Sequence, residues 1–329
     1  MKKAFVTGGT GFIGKYLIKE LNNRGYNITC LVRKASKING IDNLNGVNFV
    51  YGDITKPETY KDIIKDKDYV FHLAAIINSP SGEVYEKVNH YGTLKLAEIC
   101  ANAYKNRNKK LKRFVYISSI AASGPAVKNH LKSEDEPCNP INEYGKTKLK
   151  GEIAVKNILG EAGIPYTIIR PPNVIGAGER ELEQAIKTIK SRIKPLLGNG
   201  DKQTSLIHVK DLVDAIITSA ECKKTKNKIY FVTDGNEYSW RELANMIQKV
   251  LNIKLIIPLP YYVLIIISMV AWVISKITGV GTTISPSRII DVRKNYYIYD
   301  TSKFIKDTGF KIKYSIYNGI KEAVNLLVN

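Results

Sequence analysis

Few residues of this chain can bind a metal or build a disulfide framework. Among 329 residues there are four cysteines and four histidines. Cys30, Cys100, Cys138 and Cys222 are widely spaced with no C-x-x-C pair, so neither a zinc site nor a disulfide scaffold is expected. Acidic residues are also scarce, 30 against 50 Lys and Arg, for a formal net charge of +20. Such a balance attracts dinucleotides, nucleotide sugars, acidic lipids or nucleic acid without choosing among them, since the excess is mostly lysine scattered among Asn and Ile. The densest basic cluster, Lys105 to Arg113 (KNRNKKLKR), reads as a solvated connection from helix to strand. No zinc-finger spacing or RNA-recognition signature accompanies it, so no nucleic-acid partner is expected. There is no internal repeat and no low-complexity linker. Lys2 and Lys3 precede an apolar run that glycines break at once, unlike a secretory leader, so the expected location is cytoplasmic.

What is present is a globular composition, 44% hydrophobic and 24% charged, long enough for one large domain or two smaller ones. Lys3-Ala4-Phe5-Val6 is strand-like, Thr7-Gly8-Gly9-Thr10-Gly11-Phe12-Ile13-Gly14 follows, and the residues from Lys15 to Leu21 have helical periodicity. Gly8, Gly11 and Gly14 form a G-x-x-G-x-x-G spacing between strand and helix. One glycine allows the turn, one lets backbone approach a pyrophosphate, and one lets the helix pack on the strand, with the helix N-terminus facing phosphate. A second strand, Asn27 to Val32, ends in Arg33. At that position an acidic residue would bind the adenosine ribose hydroxyls, whereas Arg pairs with a 2′-phosphate, so NADP(H) is favoured over NAD(H).

Val47 to Tyr51 is a third strand, followed by Asp53, whose carboxylate can accept from the adenine amino group. A helix is expected near Pro57. Tyr69 to Leu73 is an apolar strand that turns small at Ala74 and Ala75, and His72 within it reads as a packed core histidine. A helix over 83–104 carries Asn89 and Thr93, and Phe114 to Ile117 is a buried strand ending in Ser118-Ser119. Alternating strands and helices call for an α/β fold, a doubly wound parallel Rossmann sheet with its ligand at the strand C-termini.

Chemistry is expected from Tyr144 and Lys148, four residues apart on one helix face. An ammonium beside the phenol favours the phenolate, lowering a pKa normally about 10, so Tyr144 can serve as general acid and base. Together with TGGTGFIG (7–14), YGDIT (51–55), HLAA (72–75), VNHYGT (88–93), YISS (116–119), YGKTK (144–148), RPPNVIGAG (170–178) and LIHVKDLVDAI (206–216), this pair resembles the extended short-chain dehydrogenase/reductases. The type is that of the NAD-dependent epimerase/dehydratases and the 3β-hydroxysteroid dehydrogenase and dihydroflavonol reductase branch, over nearly the whole chain. The resemblance implies that Ser119 orients the reacting oxygen, with Ser118 as the alternative. Tyr144 would transfer its proton, and Lys148 would hold the nicotinamide ribose and tune Tyr144. It further implies that Gly8, Gly11, Phe12, Ile13, Gly14, Arg33, Asp53, Ile54, Leu73, Ala74 and Ala75 hold the dinucleotide. Asn89, Ser118, Tyr144, Lys148, Pro171, Asn173 and Val174 would complete that site.

Residues 1–170 are expected to form the dinucleotide-binding domain. Residues 171–329 would form a smaller substrate lobe interleaved with the last Rossmann elements near 204–233. Arg180, Arg192 and Lys194 are either anion contacts or surface charges, His208 is structural, and Ser239 with Glu242 is a capping box. From Leu255 to Ser275 no residue is charged. Pro258 and Pro260 delay any helix, and the 15 residues that remain reach only about 22 Å, short of a bilayer core of ~30 Å. The preferred reading is a buried helix walling an apolar substrate pocket. The alternative is a helix lying in a membrane surface with Tyr261, Tyr262 and Trp272 at the interface, which would make the protein membrane-associated.

Nucleotide-sugar members of the family commonly carry Arg-x-Gly-Asp near the C-terminus, and the nearest match here, Arg288-Ile289-Ile290-Asp291, lacks the glycine. The small-molecule substrate is therefore expected to be an apolar alcohol or ketone, or else a nucleotide sugar handled by an epimerase or dehydratase with tightly bound NAD. A non-catalytic NADP-binding regulator of this fold would typically have lost Tyr144 and Lys148. The resemblance implies either a homodimer, paired through helices around 83–104 and 142–160, or a monomer.

Overall fold

The computed structural model describes all residues except 80, 105–110, 192, 196–199, 255–256, 260, 279–285, 287–288, 291–294 and 329. The sequence-predicted strands appear as β1 (Lys3–Thr7), β2 (Asn27–Val32), β3 (Val47–Tyr51), β4 (Tyr69–His72) and β5 (Arg113–Ile117), and the structure adds β6 (Tyr166–Arg170), which no sequence pattern had marked. Together with β10 (Lys228–Phe231) they form one seven-stranded sheet in the order β10-β6-β5-β4-β1-β2-β3, and every pair in it is parallel. Such a sheet must be covered on both faces, so its strands read as apolar runs. The order reverses beside β1, where a doubly wound sheet opens a crevice at its strand C-termini.

Helix α1 (Phe12–Asn23) and α7 (Val209–Glu221) are the helices of one face, where Leu17, Ile18, Leu21, Leu212 and Ile216 are buried with Ala4, Val6 and Phe71. On the other face Leu96, Ala97 and Cys100 of α3 (Gly92–Tyr104) and Val155 and Leu159 of α5 (Glu143–Glu161) join Phe5, Val70 and Phe114. Short turns α2 (Gly82–Tyr85) and α4 (Ile120–Ser123) precede α3 and α5.

Two expected helices differ. Near Pro57 the chain makes two 3-10 turns, Pro57–Thr59 and Lys61–Asp66. Between them Tyr60 breaks away at φ −143° and is buried, its hydroxyl bonded to the Ile54 carbonyl. The helix expected over 83–104 contains a π turn at Glu86–Tyr91. That wider turn carries Asn89, which bonds the Ile76 backbone at 2.8 and 3.0 Å. π turns inside helices often mark functional sites.

Beyond β6, strands β7 (Asn173–Ile175), β9 (Gln203–His208) and β11 (Glu237–Ser239) make a separate three-stranded sheet in the order β11-β9-β7. Its cover comes from α6 (Arg180–Lys190), α8 (Trp240–Val250) and α11 (Ile316–Val328), whose Leu182, Ile186, Leu243, Ile247, Ile320 and Val324 form one apolar cluster. The Ser239–Glu242 capping box is present at the start of α8. Helix α10 (Ser302–Thr308) buries Phe304 in the core of the large sheet.

β8 (Ile193–Pro195) pairs in parallel with β12 (Ile257–Leu259), and α9 (Tyr261–Thr278) follows, starting where the prolines allow. The preferred expectation for this segment is corrected here: α9 is not a buried wall, since Tyr262 is 67% and Ile277 80% exposed, with Ile266, Met269, Val270 and Val273 exposed between them. Among the described residues no helix is long and apolar enough to cross a membrane. Arg192, Arg288 and Asp291, and most of the basic cluster from Lys105, lie outside the described residues.

Candidate active site

The glycine turn is built by close packing. Gly8 has φ +74°, and a Cβ there would lie 2.6 Å from the Ala74 nitrogen and the Leu73 carbonyl carbon. A Cβ on Gly14 would lie 2.2 Å from the Gly8 oxygen. The first glycine therefore permits the turn and its approach to β4, and the third seats α1 on that turn. Gly11 is the N-cap of α1; no side chain caps the helix and no acidic residue lies in its first turn. An uncapped helix N-terminus of this kind suits a phosphate, and the steric cradle fits a dinucleotide. Phe12 packs edge-on against Tyr16, whose hydroxyl bonds the Ala177 carbonyl, so the first turn of α1 is tied to the segment after β7.

Arg33 is exposed just past the end of β2. Asp53 accepts the Thr55 N–H and hydroxyl, each at 2.8 Å. Burial works against its charge, but those bonds and the nearby Arg33 and Lys56 hold its carboxyl below the usual value. Arg33 and Asp53 thus sit together at the edge expected for an adenosine. Ile54 is buried and packs 3.1 Å from where a Gly92 Cβ would stand.

Asn89 is fully buried and spends its amide on Ile76 and, at 3.4 Å, on the Thr147 hydroxyl. It shapes the loop after Ala74 and Ala75 rather than lining an open surface. His72 is buried and bridges the Thr7 and Thr93 hydroxyls at 2.6 and 2.9 Å. Burial, reinforced by the Lys148 charge, pushes it down to about 3 and keeps it neutral, in keeping with a structural role.

The two serines after β5 have different surroundings. Ser118 is buried and donates to Glu152, whereas Ser119 is half-buried and its hydroxyl accepts the Ala121 N–H at 3.1 Å as a helix cap. A serine that accepts from backbone still has its own proton to give. Ser119 is therefore the better placed to donate to a substrate oxygen. Asn142 caps α5 through Gly145, and a Cβ on Gly145 would lie 2.2 Å from the Ala121 oxygen. That contact presses the start of α5, with the half-buried Tyr144, onto the turn that begins at Ser119. The Tyr85 ring lies 6.2 Å from that of Tyr144, centroid to centroid.

Lys148, one turn further along α5, is buried; its ammonium donates to the Ile117 carbonyl at 2.7 Å and sits 4.2 Å over the Tyr116 ring. Burial pushes it down to about 7, partly offset by Glu152. Glu152, one further turn on, is itself buried and pairs with buried Arg170 at 2.9 and 2.6 Å. Arg170 also bonds the Cys138 sulfur at 3.1 Å. Residue-by-residue reading missed the Ser118–Glu152–Arg170 network. Its available signals were the i, i+4 continuation from Lys148 to Glu152 and the Arg that opens RPPNVIGAG. Pro171 is buried with its carbonyl bonded to the Ile120 N–H, Val174 is half-buried, and Asn173 is exposed. His208 is buried, caps α7 through the Lys210 N–H and stacks on Tyr314. Among the described residues no His, Cys, Asp and Glu cluster could hold a metal.

The lowered Lys148 value has a consequence for stability. Between pH about 7 and 10.5 the unfolded chain holds this proton and the folded chain does not, so stability of the cofactor-free protein rises with pH across that window. Urea denaturation at pH 7 and pH 10 should show Lys148→Met losing that part of the rise; an unchanged rise would place the titration elsewhere.

A glycine cradle at the switch point of a parallel sheet, with a Ser, Tyr and buried Lys beyond it, defines a dinucleotide-dependent enzyme of the extended short-chain dehydrogenase/reductase type. The NAD dependent epimerase/dehydratase family model matches residues 4–232, and the chain belongs to that family. The UDP-glucose 4-epimerase of Vibrio cholerae is 29% identical over 254 residues, 74% of each chain. The decarboxylating sterol-4-alpha-carboxylate 3-dehydrogenase of Dictyostelium discoideum is 26% identical, over 98% of this chain and 100% of that one. A crystal structure of UDP-glucuronic acid 4-epimerase from Bacillus cereus with UDP-glucuronic acid and NAD superposes with a TM-score of 0.78. It covers 99% of both chains at 21% identity, a likeness of fold.

Proposed function

We propose that this chain is an NADP(H)-preferring oxidoreductase that interconverts a secondary alcohol and its ketone on an apolar scaffold. The carrying observation is the arrangement around α5: half-buried Tyr144 on its first turn, Lys148 buried one turn later against Ile117, and Ser119 at the turn on which α5 packs. A bound nicotinamide supplies the hydride acceptor and donor. Ser119 donates a hydrogen bond to the substrate oxygen, and Tyr144 takes the hydroxyl proton in oxidation and returns it in reduction. Lys148, when protonated, holds a ribose hydroxyl and favours the phenolate of Tyr144. Gly8, Gly11, Phe12, Ile13 and Gly14 receive the pyrophosphate, and Asp53 with Ile54 borders the adenine. Leu73, Ala74, Ala75, Pro171, Asn173 and Val174 border the nicotinamide half, with Ser118 and Asn89 holding the surrounding backbone.

Two observations favour the apolar substrate. The sterol dehydrogenase relative aligns almost end to end, whereas the epimerase relative aligns over 74% of the chain, and the Arg-x-Gly-Asp pattern is incomplete. The second reading is a nucleotide-sugar 4-epimerase or dehydratase with retained NAD, supported by the same epimerase relative and by the NAD-bound structural neighbour.

Mass spectrometry of protein purified without added cofactor, followed by titration with NADPH and NADH, separates the two. Empty protein that binds NADPH much more tightly supports the reductase; recovery of tightly held NAD(H) overturns it in favour of the epimerase. Arg33→Ala should weaken NADPH binding about ten-fold or more, the scale of one lost charge-assisted contact, and NADH binding much less. Equal losses on both cofactors would remove the 2′-phosphate role.

A further inference from the structure

Helix α9 has the polarity of a globular surface helix turned inside out. On a soluble surface, apolar side chains turn inward and polar ones face water. In α9 the buried positions are Ser268 and Ser275, seven residues apart, with small Ala271 half-buried on the same face. Both hydroxyls are satisfied within the helix, Ser268 on the Ile265 carbonyl at 2.7 Å and Ser275 on that of Trp272 at 2.8 Å. The opposite arc presents Tyr262, Ile266, Val270, Val273, Ile274 and Ile277 to solvent. A contiguous exposed apolar face of this kind marks a docking surface.

Charge selects the partner. No Asp or Glu occurs between Leu243 and Ile290, while Lys249, Lys254, Lys276 and Arg288 do. Lys249, Lys254 and Lys276 are all exposed, and the Lys276 ammonium lies 5.8 Å from the Trp272 ring. A second copy of the chain would bring the same positive charge to the contact, whereas an anionic lipid surface complements it. We propose that α9 docks in the plane of an anionic bilayer, its apolar arc among the acyl chains and its Lys276, with Lys254 ahead of the helix, at the headgroups, and Trp272 at the boundary. Apolar insertion and basic attraction are the two signals that stable peripheral binding needs. The proposal goes beyond the catalytic reading and does not depend on it, since a nucleotide-sugar enzyme could dock in the same way.

The test is flotation of the full chain with phosphatidylcholine vesicles, with and without phosphatidylserine, alongside light scattering without lipid. Wild-type protein should float with the phosphatidylserine vesicles and lose about ten-fold or more of that binding without phosphatidylserine or at about 1 M salt, where the Debye length falls to ~3 Å. The Ile266→Glu, Val270→Glu, Ile277→Glu triple variant should stay unbound while keeping wild-type NADPH or NADH affinity. A Lys254→Glu, Lys276→Glu variant keeps the test decisive if the triple variant misfolds, and its binding should fall about ten-fold or more. Wild-type protein that floats with neither vesicle overturns the proposal, as does a triple variant that floats like wild type or a lysine variant that binds unchanged. A dimer that ignores vesicles and dissociates in the triple variant also overturns it, by making a second copy the occupant of α9.

Discussion

Tyr144→Phe is expected to lower turnover by about 10²- to 10⁴-fold, the range for removing a positioned general acid and base, with dinucleotide affinity nearly unchanged. The phenyl ring keeps its place in the first turn of α5 beside Tyr85, and the group removed is the hydroxyl that carries the transferable proton. Ser119→Ala should act in the same direction with its dinucleotide affinity also kept. Lys148→Met should weaken dinucleotide binding as well as turnover, because its ammonium is assigned a ribose contact. Steady-state rates on a panel of hydrophobic ketones and nucleotide sugars, with binding isotherms on the same proteins, check all three. Full turnover by Tyr144→Phe on the substrate that wild type uses would end the catalytic assignment.

The second large effect is on stability. Glu152 and Arg170 are both buried and joined by two hydrogen bonds, and Glu152 also receives the Ser118 hydroxyl. Removing one partner leaves a buried charge without its counterion, which costs about 3–5 kcal/mol. Arg170→Met should therefore lower the urea midpoint sharply, whereas Glu152→Met combined with Arg170→Met should recover much of the loss. If the double variant is no more stable than the single one, the network contributes through packing rather than charge pairing. Glu152→Gln carries a distinct signature: losing its negative charge removes the influence that partly offsets burial at Lys148. The pH at which Lys148 loses its proton should then fall below about 7, so dinucleotide binding by this variant should weaken at a lower pH than in wild type.

The amino-acid order determined the frame of this protein. Continuous apolar runs specify the strands, and the glycines at 8, 11 and 14 specify a turn in which a Cβ has no room at Gly8 or Gly14. Tyr144 and Lys148 share a helix face because four residues make about one turn. These are local relations, carried by spacing and steric limits that act within a few residues. They were sufficient for the fold class, a parallel α/β sheet with helices on both faces.

Tertiary structure decided what depends on contacts between distant segments. Ser119 was preferred to Ser118 by register alone, and their surroundings differ because Glu152 from another helix engages Ser118 while Ser119 caps the turn at Ala121. That the Asn89 amide is directed to the Ile76 backbone depends on a π turn that no sequence spacing announces. The apolar run after Pro260 was expected to be covered, and it is not: hydrophobicity establishes that a segment avoids water, while only the packed structure shows whether protein supplies the cover. On α9 the protein covers the serine face and leaves Ile266, Ile274 and Ile277 outward.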